Sequence, residues 1–187
     1  MEDIYIFIAL TFVFYFVFQF YSSFGLESVK STLDNNNYTV QSKEDKEEAA
    51  NILAQIRQKL NKMYLHLSQN FPNDDCTKNL EKNYNEFKNI TENNSSSGTS
   101  YTLNKKQIFM CIRNKDDEFV KINELTFVAL HELAHICTST KHHTPEFWKK
   151  FKFILQEAVK IGVWKYVQYD KNPQEYCGIT LNSVPNL

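Results

Sequence analysis

Residues 131–135 read His-Glu-Leu-Ala-His. On a helix, side chains four positions apart share a face, with Cβ atoms about 5–6 Å apart. Two imidazoles so placed can reach one Zn2+, each nitrogen at about 2.0–2.1 Å. Glu132, one position on, can reach past the metal to a bound water and act as general base. The metal meanwhile lowers the pKa of that water to about 7. This is the helical signature of metal-dependent peptide hydrolysis.

Five residues can match by chance on any amphipathic helix, so the surroundings decide. A metal site needs a third ligand. His142 and His143 follow His135 by seven and eight residues, and Glu157 follows it by 22. Lys141 stands where metzincins carry their third histidine, and Thr138 replaces their glycine, so that arrangement is excluded. His142, His143 and Glu157 all remain open on spacing alone.

The motif must sit on a helix, and independent signals place one there. Asn123 is a good N-cap with Glu124 in the first turn. Leu125, Val128, Ala129, Leu133 and Ile136 supply the apolar periodicity. Pro145 suits the first position of a following helix that runs to about Gly162, with Phe147, Trp148, Phe151, Ile154 and Leu155 on its apolar surface. Upstream, apolar residues from Ala49 to Leu67 recur every three or four positions, with Ser42 as an expected N-cap and a break at Phe71-Pro72. A weaker helix is expected over 74–90, and two strands over 101–103 and 107–113. Short β-like runs at 164–169 and 176–181 close the chain.

Residues 4–18 carry no charge, and residues 4–21 make a helix of roughly 27 Å. A hydrocarbon core is about 30 Å thick, so the segment predicts a single transmembrane span over residues 1–21. A cleaved signal would start with basic residues, and this chain starts Met-Glu-Asp. Lys30 and Lys43 follow the span and no Lys or Arg precedes it, which places the C-terminal domain on the cytoplasmic side. Residues 22–42, rich in Ser and Asn, read as a polar tether, and residues 43–187 as one domain.

The 21 Lys+Arg against 22 Asp+Glu give a net charge of −1, which argues against a dedicated nucleic-acid binder. Lys149, Lys150 and Lys152 read as a solvated helix face. Four cysteines (76, 111, 137, 177) lack metal-pair spacing and are expected as buried thiols. Tyr166, Tyr169 and Tyr176 are candidates for hydrogen bonding to an oxyanion, with core packing as the simpler role. The sequons at Asn37, Asn89, Asn93 and Asn94 matter only for a lumenal domain.

His131-Glu-Leu-Ala-His135 followed by His143-Thr-Pro-Glu-Phe147-Trp148 resembles the zincin-like metalloproteases of the WLM (Wss1p-like) and SprT/Spartan groups. The resemblance covers about 101–162. It implies that His143 is the third zinc ligand, with His142 as the fallback. It also implies an edge strand that binds substrate backbone, a role falling to 107–113 here. Those groups cleave proteins crosslinked to DNA, but this chain lacks their zinc-ribbon cysteines and long basic tail. Membrane-anchored chains of this kind also resemble proteins of large eukaryotic DNA viruses, a setting that fits 19 Lys against 2 Arg.

These observations predict an α+β, zincin-like minimal metalloprotease domain, helices on a small sheet, behind an N-terminal transmembrane helix. His131, His135 and His143 would hold Zn2+, and Glu132 would drive hydrolysis of a protein or peptide substrate. The domain would sit at a cellular or virion membrane, without nucleic acid as partner. The rival from another class is a catalytically silent zincin scaffold. Glu132 speaks against it, since a structural site has no need of a carboxylate there.

Overall fold

The computed structural model describes residues 11–12, 25–83, 87–88, 90–94, 99–140 and 142–187. The apolar run 4–21 therefore lies outside the described residues, apart from Thr11 and Phe12. No described helix is long and apolar enough to cross a membrane.

The chain is an α+β fold. Its main sheet has the order β1-β2-β3-β5-β4: Leu26–Lys30 (β1), Asn37–Gln41 (β2), Ile90–Glu92 (β3), Tyr101–Leu103 (β4) and Gln107–Met110 (β5). β1 pairs antiparallel with β2, β3 lies parallel to β2 and β5, and β4 closes the edge antiparallel to β5. Among the described residues, four helices follow the expected pattern: Lys46–Asn70 (α1), Asp75–Asn83 (α2), Ile122–Cys137 (α3) and Pro145–Lys160 (α4). A small hairpin, Gln174–Tyr176 (β6) with Ile179–Leu181 (β7), ends the fold.

Residues 26–41 correct the expectation of a polar tether. They form a hairpin of the main sheet. Tyr38 and Val40 alternate inward and are buried, while the polar residues serve the turn. Asp34 accepts hydrogen bonds from the Tyr38 hydroxyl at 2.6 Å and Arg57 at 3.0 Å. Burial pushes that carboxyl up, but hydrogen bonds from Tyr38, Asn36 and Arg57 together hold it below its usual range. A run of Ser, Asp and Asn masked a period-2 pattern only two inward residues long.

Other boundaries differ in instructive ways. Asp45, not Ser42, precedes α1, and the Ser42 hydroxyl donates to Glu27 instead at 2.6 Å. Lys121 precedes α3, and Asn123 is taken by the Lys165 backbone, giving and receiving hydrogen bonds at 3.0 Å. The described part of α2 ends at Asn83, short of residue 90. Residues 164–169 form no strand; Trp164 and Tyr169 are buried instead.

The four cysteines are not free thiols. They form Cys76–Cys137 and Cys111–Cys177 disulfides, closing separations of 61 and 66 residues. No local spacing announces pairs that far apart. In the loop-entropy account each contributes about 4 kcal/mol.

α3 is the centre of the fold. Its residues are buried except Ile122, Asn123, His131 and His135. A helix this apolar all round must be covered on nearly every side, and α1, α2 and α4 all pack against it. The two histidines form the strip left open.

One buried ionic network ties the sheet to α1. Arg113 donates to Glu92 at 2.8 Å and makes two 2.7 Å contacts to Asp45, at the start of α1. Glu92, fully buried, also accepts from the Gln41 backbone N–H at 2.7 Å. Replacing Arg113 by Met leaves that carboxylate without a counter-charge. The expected loss is about 3–5 kcal/mol in urea unfolding; an unchanged midpoint and slope would contradict this role.

Candidate metal centre

The i, i+4 spacing on α3 places the His131 and His135 rings 5.0 Å apart. The loop after α3 then returns His143 to the same point. Its ring lies 4.8 Å from that of His131 and 5.0 Å from that of His135. One nitrogen from each of the three falls within 4.8 Å of the others. His131 Nε2 and His143 Nε2 are 2.9 Å apart.

His143 is held by the start of α4. Thr144 caps that helix, its hydroxyl accepting from the Phe147 N–H at 3.3 Å, and Pro145 occupies the first turn. Phe147, fully buried, lies beneath all three imidazoles, with ring centroids 4.4–4.9 Å away. His142 is exposed and outside the cluster. Glu157 is also outside it: near the C-terminal end of α4, its carboxylate meets His66 Nε2 at 2.5 Å.

Burial pushes the pKa of His131 down to about 3, helped by His135 and His143, and that of His135 to about 4, helped by His143 and Lys105. Both rings are thereby kept neutral, with lone pairs available to a metal. Three clustered imidazoles are a donor set that suits zinc, with a fourth position for water or substrate. The geometry fits that ion.

Glu132 faces the same groove. Burial raises its carboxyl pKa to about 7, opposed by a hydrogen bond from Thr102. The Thr102 hydroxyl donates to Glu132 Oε2 at 2.7 Å. Thr102 lies on β4, the edge strand, so one hydrogen bond fixes both the carboxylate and the strand. The turn from β4 to β5 adds a second tie. Asn104 and Lys105 have φ of 52° and 57°, as a type I′ turn requires. Lys105 Nζ there donates to the Thr138 carbonyl at the end of α3.

A cavity of about 470 Å3 runs between β4 and the histidines, lined by Tyr101–Leu103, Lys105, Glu132 and the three imidazoles among others. The edge bordering it is β4. The strand expected in that role, over 107–113, is interior, paired on both sides. Sequence reasoning named β4 without a role and missed Thr102 and Lys105. The strand-turn-strand pattern around Asn104 was the available signal.

None of the three tyrosine candidates lines this cavity. The Tyr176 hydroxyl donates to the Cys111 carbonyl at 2.8 Å and meets Ser100 Oγ at 2.5 Å. Tyr169 is buried against Phe127, and Tyr166 packs at the surface on Trp164. Of the lysine cluster, Lys150 pairs with Asp74 at 2.8 Å.

A family model described as the WLM domain matches residues 101–182, the stretch that holds β4, β5, α3, α4 and the tail hairpin. An uncharacterized protein, R325, of Acanthamoeba polyphaga mimivirus is 34% identical over 160 residues, 82% of this chain and 81% of its own. The chain belongs to the WLM-domain family. WLM is a zincin-like metallopeptidase family, and the histidine cluster lies inside the matched stretch. The uncharacterized protein 136R of Invertebrate iridescent virus 6 is 43% identical over 68 residues, 35% of this chain and 38% of its own. Protein 042R of Invertebrate iridescent virus 3, also uncharacterized, is 39% identical over 66 residues, 35% of this chain and 42% of its own. The WLM expectation and the likeness to proteins of large DNA viruses are thus both met. No solved structure matches the chain.

His143→Ala is expected to weaken zinc binding by more than the roughly 10–100-fold that loss of an outer partner costs. His142→Ala should bind zinc as wild type does. Zinc titration against a chelator checks both. The reverse order would move the third ligand to His142.

Proposed function

We propose that this WLM-family chain is a membrane-anchored zinc metallopeptidase that cleaves an extended protein segment laid along β4. The observation that carries the reading is the groove itself. Three imidazoles, one buried carboxylate and a sheet edge converge on it. An exposed edge strand supplies backbone hydrogen bonds to a peptide in β-addition, and β4 sits beside the ligands. Zinc held by His131, His135 and His143 would supply Lewis acidity to the scissile carbonyl.

Glu132 does the proton work. It takes a proton from the attacking water and passes it to the leaving amine. Thr102 holds one carboxylate oxygen, and both side chains line the groove. A scaffold that only binds metal would have no use for this pairing.

The membrane attachment rests on residues 4–21 as sequence. The two disulfides favour the oxidising face of that membrane, or a virion surface, because such bonds are rare in reducing cytosol. Lys30 and Lys43 argue for the opposite face. The disulfides outweigh the lysines, because two bridges must survive while a bias of two lysines is weak. Nucleic acid has no place in this reading.

In the test, Glu132→Gln keeps its zinc and loses about 10²–10⁴-fold of the wild-type kcat/KM on an unfolded protein substrate. Added DNA leaves the wild-type rate unchanged. The same full-length preparation should stay with carbonate-washed membranes and resist thiol alkylation. Equal cleavage by wild type and Glu132→Gln would refute the peptidase reading.

A further inference from the structure

The hairpin at 26–41 leaves almost no tether between the apolar run and the sheet. A polar linker over 22–42 would stretch to roughly 70 Å, at about 3.3–3.6 Å per residue. β1 instead begins at Leu26. The Gly25 carbonyl just ahead of it accepts a hydrogen bond from the Ser42 N–H at 3.0 Å, so Gly25 is already a fixed point of the fold. Residues 22–24 are what lies between that point and the apolar run 4–21. In any conformation, the step from residue 21 to Gly25 covers at most about 14 Å.

Strand pairing carries this constraint across to the groove. Leu26 pairs with Gln41, Thr39 with Thr91, Glu92 with Met110, and Phe109 with Tyr101. The chain entry, the ends of β2, β3 and β5, and the start of β4 therefore share one end of the sheet. In the order β1-β2-β3-β5-β4, the edge at the groove lies across the sheet from β1, about 19 Å away at 4.7–4.9 Å per strand. Leu103, the far end of β4, pairs with Gln107 and stands about 14 Å along the strand direction from the level of Leu26. The diagonal from Leu26 to the far end of the groove is thus about 25 Å. With the step before Gly25, the whole groove lies within about 40 Å of the end of a span over 4–21.

Resting on the membrane-anchored peptidase reading, we infer that the substrate is a protein held in the same membrane, cut in its extended stalk within roughly a dozen residues of the bilayer. A dozen extended residues span the same 40 Å or so. β-Addition to β4 requires an extended segment, and a stalk next to a span supplies one at the right height. Bonds in a rigid part of a substrate beyond that height are out of reach, because the sheet itself is the tether and cannot lengthen. Sharing one membrane also raises the effective concentration of such a stalk to the order of mM. The short connection before β1 thus acts as a ruler that selects substrates by distance.

The test places the full-length, zinc-loaded chain in phosphatidylcholine vesicles with single-pass reporters. One reporter carries a cleavable segment directly after its span. The other carries the same segment beyond a rigid helical spacer of about 60 Å, some 40 residues at 1.5 Å each. The segment is also supplied as a free peptide. The near reporter should be cut at least about 10-fold faster than the far one. Inserting a Gly/Ser linker of about 60 residues between Ser23 and Phe24, with a root-mean-square reach of about 40 Å, should bring the two rates together. The free peptide should be cut equally by both forms of the enzyme. Equal cutting of near and far reporters by the wild type, or a preference that survives the linker, overturns the ruler and leaves the peptidase reading standing. A free peptide left uncut overturns the peptidase reading with it. A chain that washes off the vesicles in carbonate overturns the anchor and the ruler together.

Discussion

The packing of Phe147 beneath three imidazoles is the constraint on which the site depends. Two of the rings come from one helix and need only a four-residue spacing. The third comes from a loop, and loops do not hold a side chain to a fraction of an ångström by themselves. Phe147 touches all three and is itself locked in the core. Thr144 and Pro145 start α4 at the one place that sets His143 four residues before that ring. The same burial that fixes the rings keeps His131 and His135 neutral. Geometry and protonation therefore have one cause.

Everything around that point acts as a frame. α3 is covered by three other helices, and the strip it leaves open is the strip that bears His131 and His135. Cys76–Cys137 clamps the C-terminal end of α3 two residues past His135. Thr102 and Lys105 hold the edge strand to the same helix from the other side. Cys111–Cys177 ties the tail to the sheet. A groove between two walls results, with the three histidines on its floor.

What could be read from the sequence was what is local. His131, Glu132 and His135 are one helical turn, and Pro145 announces the next helix. His143 needed the family resemblance, because His142 and Glu157 satisfy spacing equally well. The contacts that decide against them are tertiary: Glu157 meets His66, 91 residues away. The same holds for the disulfides, for Thr102 against Glu132, and for the hairpin at 26–41, whose polar turn hid two inward residues. The choice of edge strand turned on the order of strands in the sheet, which chain order does not reveal. Residues 4–21 show the converse case, a strong sequence signal that lies outside the described residues.

If three imidazoles hold zinc and leave one position open for chemistry, X-ray absorption at the zinc edge of the purified chain reads it directly. The expected spectrum shows three nitrogen neighbours with imidazole scattering, plus one oxygen, all at about 2.0–2.1 Å. Sulfur neighbours at about 2.3 Å, or a closed set of four protein ligands, would contradict it.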